Sequence, residues 1–357
     1  MLGTAFNNNI TAVRNRADRS GVIMRDMKSL KHFTVCFFVV LLGCSGESAQ
    51  TLTGETMGTT YSIKVVTSAD LSNLQREIDL ELKRINQLMS TYIVDSDLSL
   101  LNKSPLDVPV EVPADLITVL QLSKEIHDIT NGAFDVTVGP LVTLWGFGPD
   151  KTFPDIPSPM QISQAQQRVG MQYLKLGDSS VSRGVDLYVD LSGIAKGFAV
   201  DRLCELLDGK GFHNYLVEIG GELKSAGNND RGAPWVIAIE KPENLKRSIF
   251  RTLPLRDLGM ATSGDYRNYR EVDGNRYSHL IDPRSGMPIN HTLVSVTVLH
   301  RSAAIADALA TALHVMYPEQ SMVLADEQNL AVLFIIKEES GFVERRSLAL
   351  EKYLVGG

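Results

Sequence analysis

Four short stretches of this chain carry residues whose types and spacing can do chemistry. In VDLSGIAKGFAVDRL (residues 189–203), Gly193, Lys196 and Gly197 sit where a β-rich run gives way to a helical pattern. Backbone N–H groups at a helix start lack intrahelical partners and carry partial positive charge, so such a junction suits an anion. The glycines permit close backbone approach, and Lys196 adds a mobile cation for a phosphate oxygen. Neither G-x-x-x-x-G-K-[ST] nor G-x-G-x-x-G is present. Taken alone, the stretch also reads as a glycine-rich helix start with a solvated lysine.

In IADALATAL, Asp307 and Thr311 share one helical face that is otherwise alanine and leucine. A carboxylate on an apolar helix needs a partner. A hard cation held by Asp307, the Thr311 hydroxyl and backbone carbonyls would supply one; a local hydrogen bond of Thr311 to the preceding turn is the plainer alternative. In ATSGDYRNY…RYSHLIDPRSGMP, Thr262 and Ser263 offer hydroxyls beside Gly264. His279 stands at a strand end before an Asp282-Pro283, Ser285-Gly286 turn, where it can be acid, base, phosphate donor or simply structural. In VEIGGEL, Gly220-Gly221 between Glu218 and Glu222 reads as a tight turn or hairpin bulge.

The elements around these residues follow from periodicity. TMGTTYSIKVV (56–66) alternates as a strand, and LSNLQREIDLELKRINQLMS repeats Leu74, Ile78, Leu82, Ile85, Leu88 and Met89 at helical spacing. Helices are expected in PADLITVLQLSKEIHDITNG, PSPMQISQAQQRVG, AKGFAVDRLCELLDGKG and SAAIADALATALHVM. TYIVDSDLSLLNKS reads as a loop with a short helical turn, and AFDVTVGPLVTLWGFGPD as a loop with a short apolar segment. YLKLGD and VDLYVDLS read as a hairpin; NYLVEIGGELKSAGN and PWVIAIEKP as neighbouring strands; LVSVTVLH, NLAVLFIIKEE and FVERRSLAL as further strands. Strands outnumber helices without strict alternation, so the expected class is α+β with mixed or antiparallel sheets and flanking helices, not a doubly wound Rossmann sheet. No internal repeat or low-complexity linker appears after about Gln50.

Taken together, the pieces resemble the ApbE family, the FAD:protein FMN transferases. The matching stretches are MGTTYSI, MSTYIVDSDLSLLN, GAFDVTVGPLVTLWGFGP, VDLSGIAKGFAVD, YLVEIGGEL, ATSGDYRNY, YSHLIDPRSGMPI and ADALATAL, in the family's order. Asp97 stands where the family more often has Glu. The resemblance implies a T-fold-related architecture with the FAD site between subdomains. It implies an Mg²⁺-dependent enzyme that cleaves FAD, releases AMP and joins FMN by a phosphoester to a Thr or Ser hydroxyl of a target, such as a flavoprotein subunit of a membrane redox pump. By resemblance, the Gly193 carbonyl, Asp307 and Thr311 hold Mg²⁺. Met57, Tyr92, Ala133, Phe134, Asp135, Asp190 and Lys196 line the FAD pocket, and Thr262, Ser263 and His279 face the nucleotide. His279, Asp307 and Lys196 carry the catalysis, with His279 as base or phosphate donor. Two other readings stay open from the residues: an Mg²⁺-dependent FAD pyrophosphatase giving AMP and FMN, and a lipid-anchored FAD-binding protein without catalysis, for which Asp307 and Thr311 have no obvious use.

The N-terminal region reads as targeting. From Met27, Lys28 and Lys31 precede an apolar run over 33–42, too short to span a membrane, which ends in Leu41-Leu42-Gly43-Cys44. This looks like a bacterial lipobox, with a plain secretory signal or buried helix as alternatives. The expected layout is an upstream extension over 1–26 from a mis-assigned start, a lipoprotein signal over 27–43, a tether over 44–54 and a catalytic unit over 55–357. A lipidated Cys44 places the protein in the bacterial periplasm, anchored to a membrane, with Ser45 favouring the outer membrane. The net charge of -7 argues against nucleic acid. Cys36 and Cys44 lie in the leader, which leaves Cys204 alone in the body as a small buried hydrophobe with no internal disulfide.

Overall fold

The computed structural model describes residues 48–149, 155–243, 248–265 and 268–354. The upstream extension, the signal and Cys44 lie outside the described residues. Eight strands form one sheet: β1 (Ser48–Thr56), β2 (Thr59–Thr67), β3 (Tyr215–Ile219), β4 (Glu222–Ala226), β5 (Gly259–Gly264), β6 (Leu293–His300), β7 (Ala331–Glu338) and β8 (Gly341–Arg346). They pair in chain order, and every neighbouring pair is antiparallel. Helices are inserted between these strands: α1 (Ser72–Met89), α2 (Asp97–Lys103), α3 (Ala114–Ile129), α4 (Gly139–Leu144), α5 (Pro159–Gln166) and α6 (Ala195–Gly209) between β2 and β3, and α7 (Ala303–Val315) and α8 (Pro318–Glu327) between β6 and β7. This is the expected α+β class.

Alternation along each strand builds two cores, because successive side chains point to opposite faces. Ile63, Val65, Val217, Ala261, Val296, Val298 and Phe334 join the buried faces of the helices on one side. Leu223, Met260, Leu299, Leu333 and Ile335 pack on the other side with a separate hairpin, Trp235–Glu240 against Ile249–Leu255. On α1 the six residues at helical spacing are the ones buried. The α7 helix is buried nearly throughout, and its small residues let α6 come close. A Cβ at Gly197 would lie 2.3 Å from the Ala303 carbonyl oxygen, so α6 and α7 touch backbone to backbone there. The glycine expected to approach a ligand therefore serves helix packing.

Several expectations are corrected. The stretch 56–66 is not one strand: Met57 and Gly58, with φ of 49° and 70°, form the tight turn between β1 and β2. The segment 48–54, expected as tether, belongs to β1. Leu174–Leu176 pairs with Ser180–Arg183, not with VDLYVDLS. Leu187, Val189 and Leu191 alternate with polar residues yet thread the interior as irregular chain. Their backbone is satisfied by the Asn102 side chain, which both accepts from Val189 N–H and donates to Val189 O, and by Val136 O, which accepts from Asp190 N–H. GPLVTL, expected as loop, is the six-residue helix α4. NYLVEIGGELKSAGN is itself the β3–β4 hairpin, turned at Gly220 and Gly221 (φ 59° and 108°), while WVIAIE lies outside the main sheet. Cys204 is buried as expected, and burial raises its thiol pKa.

Candidate active site

The turns at Met57-Gly58 and Gly220-Gly221, the C-terminal end of β5 and the start of α6 share one end of the sheet. There α6 and α7 meet. Gly197 N–H, in the first turn of α6, donates to Asp307 Oδ2 at 3.0 Å across 110 residues of sequence. The anion at this helix start is thus the protein's own carboxylate, favoured by the positive end of α6. Thr311, one turn along α7, lies beside Gly193: a Cβ built there would be 3.4 Å from Thr311 Oγ1 and 3.2 Å from the Phe134 ring. Gly193, Lys196, Asp307, Thr311 and Phe134 are therefore brought together, as expected.

Glu222 completes the group. The sequence reading named it only as a flank of the glycine turn. It begins β4, is 5% exposed, and its Oε2 is buried without a hydrogen-bond donor. Lys196 Nζ stands 3.4 Å from Glu222 Oε2 and 3.8 Å from Asp307 Oδ2, and donates weakly to Ser192 O at 3.5 Å. One ammonium faces two buried carboxyl groups, so both ionise fully only when a second cation is present. Burial pushes Glu222 up to about 8 against the pull of Lys196, and burial also raises Asp307. The two carboxylates in turn raise Lys196 against its own burial. A site with two carboxyl groups for one ammonium, an orphaned carboxyl oxygen and oxygen donors from Asp307 and Thr311 fits a hard divalent cation. Among the described residues no three His, Cys, Asp or Glu side chains gather as a metal set. The donor set that fits draws on one carboxylate, one hydroxyl and main-chain oxygen.

The imidazole of His279 is pinned: its Nδ1 is 2.8 Å from Asn268 O, and Phe147 packs edge-on to it. A carbonyl only accepts, so Nδ1 carries the proton and Nε2 is left with a free lone pair. Burial lowers the His279 pKa, and the nearby Lys196 charge lowers it further. Ser263 turns to the α7 side, where its hydroxyl donates to His314 Nδ1 at 3.0 Å while His314 Nε2–H donates to Leu293 O at 3.1 Å. His314 is fully buried, beside His291, and burial takes its pKa down to about 3. Thr262 is a correction: it points to the opposite face of β5, where its hydroxyl meets that of Thr297 at 2.9 Å. Neighbours on a strand cannot both face the helices.

The remaining expected residues spread along a path. Met57 occupies the β1–β2 turn and packs partly against the core. Ala133, Phe134 and Asp135 are buried, but the Asp135 carboxylate is occupied by the Thr137 hydroxyl and amide and by His127 at 3.4 Å. Asp190 accepts from Ser192 N–H at 2.9 Å. Tyr92 is 65% exposed and lines a cavity of about 1000 Å³ with Asn102, Thr143, Arg168 and Tyr188. None of Gly193, Lys196, Asp307 or His279 lines this cavity. The segment 188–193 joins the cavity to the ion cluster.

Known proteins resemble this chain over most of its length. The model of the ApbE family matches residues 57–334. The FAD:protein FMN transferase of Vibrio cholerae serotype O1 is 44% identical over 321 residues, 88% of this chain and 96% of that protein. The one from Haemophilus influenzae is 42% identical over 330 residues, 89% of this chain and 95% of its own length. Among solved structures, the flavin transferase ApbE from Vibrio cholerae superposes with a TM-score of 0.80 at 43% identity, covering 86% of this chain and 99% of that one. The apo flavinyl transferase ApbE of Pseudomonas stutzeri gives 0.81 at 38%, covering 87% and 98%.

Proposed function

The chain belongs to the ApbE family and is an FAD:protein FMN transferase, and from that premise we propose how its residues divide the work. Moving the FMN phosphoryl group from the pyrophosphate of FAD to a protein hydroxyl needs charge neutralisation and in-line placement more than covalent help. The observation that carries the reading is the meeting of Gly193, Lys196, Asp307 and Thr311 at the α6–α7 junction, with two carboxyl groups for one ammonium. Asp307, the Thr311 hydroxyl and the Gly193 carbonyl would hold Mg²⁺. When bound, the ion supplies charge neutralisation to the pyrophosphate oxygens. Lys196 stays beside the ion site, next to Glu222, where its charge acts on the pyrophosphate through space.

The flavin dinucleotide runs along 188–193, from the cavity at Tyr92 to the ion cluster, and the exposed Tyr92 ring is free to stack on it. With Nδ1 tied to Asn268, His279 uses Nε2 as base. It takes the proton of the acceptor threonine hydroxyl as the new O–P bond forms and the bond to AMP breaks. We also propose that Cys44 carries lipid and that the enzyme works in the periplasm on flavoprotein subunits of membrane redox systems; the lipobox and the apolar run before it support this.

Incubation of enzyme, FAD, Mg²⁺ and an acceptor domain tests the scheme. Flavin fluorescence should stay on the acceptor in a denaturing gel, with one AMP released per labelled acceptor. Removal of Mg²⁺, or replacement of the acceptor threonine by alanine, should abolish the band. Free FMN and AMP without a labelled band would make the protein a pyrophosphatase.

A further inference from the structure

We propose that Lys196 is the resident counter-ion of the cation site, and that Glu222 is the second seat to which it moves when a divalent cation takes Asp307. The inference rests on the reading of Asp307, Thr311 and Gly193 as the metal holders. Lys196 sits between its two carboxylates and is bonded well to neither. At 3.8 Å and 3.4 Å, both contacts exceed the distance of a good charge-assisted hydrogen bond, about 2.7–2.9 Å. Its flexible four-carbon stem lets the ammonium move over that span without backbone change.

Glu222 has the properties of a seat held ready. It is 5% exposed, and Oε2, the oxygen facing Lys196, is buried and accepts no hydrogen bond. A buried carboxylate left in that state is costly unless a cation closes on it at some stage of the cycle. A divalent cation at Asp307 repels an ammonium next to it. Without Glu222, Lys196 would have to compete for Asp307, or leave a place where only 27% of its side chain meets solvent. With Glu222 present, the exchange moves one ion pair and breaks no covalent bond. Each cation then has its own carboxylate: the divalent ion meets Asp307, and the ammonium meets Glu222.

The test is Mn²⁺ binding to the flavin-free full-length protein, read from the electron paramagnetic resonance signal of free Mn²⁺. Melting curves check that each variant folds. Glu222→Gln should weaken Mn²⁺ binding about tenfold, because Lys196 then stays on Asp307. Lys196→Met should tighten it severalfold, and in that background Glu222→Gln should change it by less than about twofold. An equal Glu222→Gln effect in both backgrounds would mean that Glu222 acts as a direct ligand or through space, and would overturn the proposal while leaving the metal reading intact. If Glu222→Gln does not fold, Lys196→Met decides alone: unchanged or weaker binding overturns the proposal. No Mn²⁺ binding by the wild type would overturn the metal reading itself, and this inference with it.

Discussion

Two ion clusters are built from the same three elements. At one, α6 supplies Lys196, β4 supplies Glu222 and α7 supplies Asp307. At the other, α6 supplies Asp201, β4 supplies Lys224, and the start of α7 supplies Ser302 and the Ala304 amide. The second is closed: Asp201 accepts from Lys224 Nζ at 2.7 Å, Ser302 Oγ at 2.7 Å and Ala304 N–H at 3.0 Å, one cation against one carboxylate. The first has two carboxylates for one cation and an orphaned oxygen. Glu222 and Lys224 share a strand face, so the difference is one of charge and valence, not of scaffold. A cluster that satisfies itself holds α6 to α7; a cluster that does not is built to receive something.

Asp307→Ala should lower FMN transfer about a thousandfold and cost less stability than Asp201→Ala, because Lys196 keeps Glu222 as a partner. AMP release and the denaturation midpoint, measured together, check this; a loss of stability as large as that of Asp201→Ala would make the site cluster structural. Gly197→Ala attacks the contact that both clusters share. It should cost about 3 kcal/mol by overpacking the α6–α7 interface, seen in urea denaturation, and should lower activity with it. Asp201→Ala should cost about 2–3 kcal/mol through the lost cap and ion pair, while the folded fraction keeps most of its turnover.

Smaller effects sharpen the contrast through pH. The His314 pKa is about 3 in the fold, far below its ordinary value, so the unfolded chain binds a proton that the native state refuses. Its contribution to stability is present above about pH 6.5 and is lost as pH falls from there toward 3, by up to about 1.4 kcal/mol per unit. His314→Gln should flatten the fall of the urea midpoint on acidification. Glu222 has the opposite sign: its pKa is raised to about 8, so it costs stability as pH rises from its ordinary range through 8. Glu222→Gln should gain about 1 kcal/mol at pH 8.5 relative to pH 5. A loss at both pH values would show that the Lys196 contact is a net support of the fold.

Residues whose role depends on local pattern were legible. The α1 stripe, the α5 start at Ser158 and Pro159 and the turn at Gly220-Gly221 all follow from spacing and dihedral preference. Glu222 was not legible, because a glutamate beside a glycine turn looks solvated until α6 covers it. The segment 185–192 alternates like a strand, yet the Asn102 side chain takes the hydrogen bonds a partner strand would have supplied. Thr262 and Ser263 carry the same chemistry in sequence, and only the packing of α7 on one face of β5 decides that Ser263, not Thr262, meets the helices.

By itself the sequence determined the α+β class, the helix faces, the ApbE motifs and most of the candidate site: Gly193, Lys196, His279, Asp307 and Thr311. Periodicity, glycine turns and motif order are local properties, and they survive in one dimension. Only the tertiary structure decided that Asp307 caps α6, that Lys196 lies between two carboxylates, and that His279 keeps its proton on Nδ1. The physical reason is that burial and charge balance belong to the assembled neighbourhood. Lys196 and Asp307 come together only because Gly197 lets two helices touch backbone to backbone.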